Sequence, residues 1–136
     1  MPETSLIRTL SFSARHHYGR ADRPEEWNEE RFGDQRRPHR HEYTLVITVT
    51  GPPDPETSFV VDLGWLDRLL HEVVIPLEDT SLNESIPEVR SGKVQPSTEA
   101  LALWFWERLA PRFDGEVRLS RLQLWENEHL GAQVEG

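Results

Sequence analysis

From His39 onward the chain alternates without a break. His39, His41, Tyr43, Leu45, Ile47 and Val49 share one parity, and Arg40, Glu42, Thr44, Val46, Thr48 and Thr50 share the other, until Gly51-Pro52-Pro53 ends the run. Period two sustained over that length is a strand with one buried face. An earlier segment has the same period. Leu6, Leu10, Phe12, Ala14 and His16 fall on one side, interrupted only by Arg8, with Ile7, Thr9, Ser11, Ser13 and Arg15 between them. Two long strands in succession predict an antiparallel pair.

The period then changes. After a short apolar piece at Phe59-Val60-Val61, Asp62 is placed to cap a helix whose stripe is Leu63, Leu66, Leu70, Val73 and Val74, closed by Pro76. Ser97 caps a second, with Glu99 near the positive end of its dipole and Leu101, Trp104, Phe105 and Leu109 as its apolar face. Strand patterning returns at Val117–Trp125 and around Leu130–Val134, and a parity shift between Leu119 and Leu122 predicts a bulge near Ser120. The order β-β-α-α-β-β is an α+β domain with a four-stranded antiparallel sheet. Its two open edges favour pairing between subunits.

Length and composition narrow the function. The 136 residues make one domain, 1–136. Lys and Arg number 15 against 24 Asp and Glu, a net charge of −9, so a nucleic-acid backbone is not an expected partner. No apolar run approaches the length of a membrane span, and Met1–Ala14 alternates instead of forming a leader's apolar core; a cytoplasmic protein is expected. There is no cysteine, which excludes disulfides, thiolate metal sites and a cysteine nucleophile.

Residues 18–38 separate the first two strands and carry five arginines, six acids and only Ala21 among aliphatic residues. Such a stretch is either a solvated insertion or a lid over a site at the strand ends. Histidines stand on both sides of it. His39 and His41 point the same way, and antiparallel pairing brings His16 to them. Three imidazoles with a vacant fourth position suit a catalytic metal, while packed or exposed strand-end histidines are the ordinary alternative. His17 has the opposite parity, His71 sits on the first helix and His129 in the last turn, and none of these is assigned a role. Glu126 ends an apolar face as the histidines end theirs, either as a strand-end acid or as an anchor for paired ring N–H groups.

Phe12-Ser13-Ala14-Arg15-His16 and His39-Arg40-His41-Glu42-Tyr43 resemble the zinc-binding pattern of the 6-pyruvoyl- and 6-carboxy-tetrahydropterin synthase family. The likeness continues through Val61-Asp62-Leu63-Gly64, Pro76–Asn83, Pro96-Ser97-Thr98-Glu99 and Leu124-Trp125-Glu126-Asn127. It implies the tunnelling fold, with ββααββ subunits assembled into barrels, often as a homohexamer with sites between subunits. It also implies zinc on His16, His39 and His41, and a reduced pterin anchored by Glu126 with Ser97, Thr98 and Glu99. The family acts on 7,8-dihydroneopterin triphosphate by metal-assisted proton transfers.

The departures concern proton transfer. Where the family carries a cysteine base, four to six residues before the His-x-His pair, this chain has Gln35 and Gly33. The family's Asp-His pair aligns with Glu78-Asp79, and the glycine between the metal histidines is Arg40. Asp34 or Glu30 are candidates to replace the base, with Glu78 and Asp79 at the relay positions; the ordinary alternative is acids that only keep the loop solvated. Arg36, Arg37, Arg40 and Lys93 are candidates for phosphate, although Arg40 points away from the histidine face by parity. A zinc-dependent pterin lyase is therefore expected. The alternatives are a homologue that binds a pterin- or purine-like ligand without the synthase activity, and a structural oligomer with a vestigial pocket.

Overall fold

The computed structural model describes residues 2–136; Met1, where the leader reading begins, lies outside the described residues. In chain order the elements are β1 (Ser5–His16), α1 (Glu25–Phe32), β2 (His39–Thr50), α2 (Leu63–Val74), β3 (Thr80–Ser81), α3 (Leu82–Ser85), α4 (Pro87–Arg90), α5 (Thr98–Leu109), β4 (Arg118–Trp125) and β5 (Gly131–Glu135). The sheet order is β3-β1-β2-β4-β5.

The two long strands pair antiparallel in unbroken register, from Ser5 opposite Thr50 to His16 opposite His39. β4 adds to β2 and β5 to β4, also antiparallel. The expected bulge is present: Thr48 faces Arg121 and Val49 faces Leu119, leaving Ser120 between them. The Ser120 hydroxyl bonds the Thr48 carbonyl at 3.2 Å and lies 2.6 Å from the Thr50 hydroxyl. One expectation is corrected. The sheet has five strands, not four, because Thr80–Ser81 runs parallel beside Ala14 and Arg15. A two-residue strand is too short to show a period, so only its contacts reveal it.

Both predicted helix caps are made. The Asp62 carboxylate accepts from the Gly64 amide at 3.0 Å and the Ser97 hydroxyl from the Ala100 amide at 3.1 Å. Leu66, Leu69, Leu70 and Val74 of α2, and Leu101, Ala102, Phe105 and Leu109 of α5, are buried against one sheet face. There Phe12 stacks on Tyr43 at 5.0 Å and meets the edge of Phe105 at 5.8 Å. Phe59-Val60-Val61 forms no strand. Asp54 turns the chain just before it, its carboxylate taking the amides of Glu56 and Thr57.

The charged stretch 18–38 is ordered into α1 and a single 3₁₀ turn, Gly33–Arg36. Glu25 and Glu26 lie in the first turn of α1 and Arg31 in the last, so its charges oppose the helix dipole. Asn28 is its buried polar centre. The Asn28 carboxamide accepts from the Arg20 amide at 2.7 Å and donates to the carbonyls of Arg20, Arg23 and Pro24. Among the described residues no helix is long and apolar enough to cross a membrane.

Candidate metal centre

The β1–β2 register decides the site. It sets His16 opposite His39, and His41 opposite Ala14, whose small side chain leaves room for an imidazole. The ring centroids are 4.5 Å apart for His16–His39 and 5.0 Å for both His16–His41 and His39–His41. One ring nitrogen from each residue lies within 4.8 Å of the others.

Whether these rings suit a metal depends on which nitrogens are free. His16 Nδ1 is 2.8 Å from the Pro96 carbonyl, and His39 Nδ1 is 2.9 Å from the Arg37 carbonyl. A carbonyl only accepts, so Nδ1 carries the proton in both rings and the lone pair is on Nε2. His16 Nε2 and His41 Nε2 are buried and have no hydrogen-bond partner. Buried polar atoms without partners are uncommon, and backbone carbonyls that fix the far nitrogen are the usual support for metal-binding histidines. The donor set fits a divalent transition metal.

The surroundings hold His16 and His41 toward the neutral form. Burial pushes His16 down to about 4, with the like charges of His39 and His41 adding to it against the opposing Pro96 hydrogen bond. Burial also lowers His41, opposed by the Glu126 carboxylate. Neutral rings are what a cation needs. The same shift carries a stability consequence. Unfolded His16 takes a proton near pH 6.5 while the folded residue resists it to about 4, so the unfolded state holds more protons between those values. Stability is complete above pH 6.5 and is lost as pH falls toward 4. In chelator, thermal denaturation should show a loss of up to about 3 kcal/mol across that window, part of it absent in a His16→Gln variant. An unchanged slope in that variant would show that His16 charges freely.

Beside the histidines stands Glu126, 8% exposed. One carboxylate oxygen accepts from the Thr98 hydroxyl at the start of α5. The other lies 3.3 Å from His41 Nε2, off the direction of a hydrogen bond, which is why that nitrogen still lacks a partner. Glu126 and His41 line an open cleft with Arg40, Thr44, Trp125 and Asn127. Ser97 is committed to its helix cap, whereas Glu99 is exposed on the first turn of α5.

The structure does not bring the remaining sequence candidates to the histidines within one chain. The Glu78 carboxylate accepts from the Ser13 amide at 3.0 Å. Asp79, in a left-handed conformation at φ 59°, pairs with Arg40 at 2.8 Å. Arg40 and Ser13 have the parity opposite to the histidines, as expected. Asp34 and Glu30 are exposed on the 18–38 segment. Arg36 is occupied by Glu25, at 3.1 Å from one carboxylate oxygen, while Arg37 and Lys93 are exposed. His17, His71 and His129 all lie outside the cluster. The supports from Pro96, Arg37 and the Tyr43 hydroxyl, 3.2 Å from His16 Nδ1, have no local sequence signal.

A family model described as 6-pyruvoyl tetrahydropterin synthase matches residues 5–136. The chain belongs to this family. It is 32% identical over 130 residues to a dihydroneopterin monophosphate aldolase of Pyrococcus furiosus, covering 96% of each chain. It is also 32% identical over 110 residues to human 6-pyruvoyl tetrahydrobiopterin synthase, covering 79% of this chain and 74% of that one. Among solved structures, 6-pyruvoyl tetrahydropterin synthase of Caenorhabditis elegans superposes with a TM-score of 0.89 at 22% identity, covering 100% of this chain and 97% of the other. The architecture is therefore the α+β tunnelling fold, with the histidine cluster at one end of the sheet.

Proposed function

We propose that this protein is a zinc-dependent lyase that cleaves the side chain of a reduced pterin, 7,8-dihydroneopterin or a phosphate of it. The observation that carries this reading is the convergence of the three histidines beside a buried carboxylate, Glu126. The likeness to the Pyrococcus aldolase, which runs over 96% of both chains, supports a carbon–carbon cleavage. His16, His39 and His41 would hold zinc, which when bound supplies Lewis acidity to side-chain oxygens.

The chain's own residues do the rest. Glu126 presents acceptors to the paired N–H groups of the pterin ring, and the Thr98 hydroxyl holds that carboxylate in orientation. With the ring so anchored, its three-carbon side chain extends toward the histidines. In a retro-aldol step the 2′-hydroxyl loses its proton to a carboxylate and the C1′–C2′ bond breaks. The electron pair passes into the conjugated ring imine, and C1′ is then reprotonated. The products are a hydroxymethyl-dihydropterin and a two-carbon aldehyde. Asp34, Glu78 and Asp79 are the proposed proton carriers. None of the three is brought to the histidines of its own chain, so the reading includes self-association, as a homohexamer with sites shared between subunits. Unpaired edges along β5 and along most of β1 are consistent with such contacts.

The absence of any cysteine favours a second reading, a pterin-binding homologue without turnover. Incubation with dihydroneopterin, its monophosphate and its triphosphate, with and without zinc, separates the two by mass spectrometry. The lyase reading expects zinc-dependent release of the aldehyde. Tight binding with no product in any arm would favour the second.

A further inference from the structure

The residue two positions beyond His16 is a tyrosine, and the chain holds it with more hydrogen bonds than an ordinary strand exit. Asn83 clamps His17 from both sides, accepting from its amide and donating to its carbonyl, each at 3.0 Å. Gln95 does the same to Gly19, at 3.0 and 2.9 Å. Between these clamps the Tyr18 amide donates to the Gln35 carbonyl at 2.9 Å. Two side-chain carboxamides imitate strand pairing where β1 has ended, fixing the backbone on either side of one ring.

That ring lies against the histidines. Its centroid is 5.0 Å from His16 and 6.3 Å from His39, with Phe32 of α1 behind it at 5.7 Å. Among the described residues its hydroxyl has no hydrogen-bond partner and is not closed off from solvent, so it is free to bond a ligand. Packed on two of the three histidines, the ring stands at the edge of the same cluster.

We infer that Tyr18 is a positioning residue whose hydroxyl donates a hydrogen bond to an oxygen on the side chain of the bound pterin. The inference rests on the pterin reading above and adds a group that selects for an oxygenated side chain. A pterin side chain directed at His16 and His39 comes to the ring packed on them, and the two clamps mean that little ordering is needed when it binds.

The test is calorimetric titration of zinc-loaded wild type and Tyr18→Phe with two ligands: 7,8-dihydroneopterin, and 6-methyl-7,8-dihydropterin, which has no side-chain oxygen. The variant keeps the ring and its packing on His16 and Phe32. Loss of one hydrogen bond predicts about three- to tenfold weaker binding of dihydroneopterin, with 6-methyl-dihydropterin and zinc content unchanged. Equal loss on both ligands, or no loss on either, overturns the role of Tyr18 and leaves the pterin reading intact. Failure of the wild type to bind either ligand overturns both.

Discussion

Replacing His39 with alanine should reduce zinc retention from about one ion per chain to well under one, with loss of turnover. His39 supplies one of three converging imidazoles, and its Nδ1 proton is held by the Arg37 carbonyl, so its lone pair has no other task. Loss of an outer-shell support alone costs roughly 10- to 100-fold in metal affinity, and loss of the ligand itself should cost more. His39 is only half-buried at the strand end, so its truncation leaves the core of Phe12, Tyr43 and Phe105 in place. Elemental analysis after zinc reconstitution and desalting reads the outcome. Thermal denaturation adds an independent measure, because an ion at a thousand times its Kd stabilises the fold by about 4 kcal/mol. Equal zinc content in variant and wild type would remove the metal from this cluster.

Glu126→Gln should weaken reduced-pterin binding by about 1–3 kcal/mol while leaving zinc content near that of the wild type. The carboxylate can accept two parallel N–H bonds, whereas an amide has one acceptor and presents its own N–H groups to the ring's donors. Thr98 sharpens the effect. Its hydroxyl donates to Glu126, so the glutamine oxygen would be taken by Thr98 and the amide nitrogen turned to the ligand. Unchanged affinity by calorimetry would place the ring elsewhere.

Much of this arrangement is legible in the sequence, and the reason is local. Alternation from His39 to Val49 and from Leu6 to His16 identifies the buried faces of β2 and β1, because successive side chains of a strand point to opposite sides. Antiparallel pairing of two such strands brings their outer histidines together, as found in the register of His16 with His39. The caps at Asp62 and Ser97 and the bulge at Ser120 follow in the same way from a residue and its near neighbours. The short strand Thr80–Ser81 and the helix Glu25–Phe32 are not legible: one is too brief for a period, and the other presents no apolar stripe, its one buried residue being the polar Asn28.

By itself, then, the sequence determined which side chains share a face and which elements carry them, since periodicity is written in adjacent positions. Tertiary structure alone decided what those side chains can do. The Pro96 carbonyl that sets the His16 tautomer is 80 positions away, and the Thr98 hydroxyl that orients Glu126 is 28 away. It also separated Glu78 and Asp79 from the histidines of their own chain, through their bonds to Ser13 and Arg40. Such contacts depend on how helices and loops close over the sheet, and no local pattern encodes that closure.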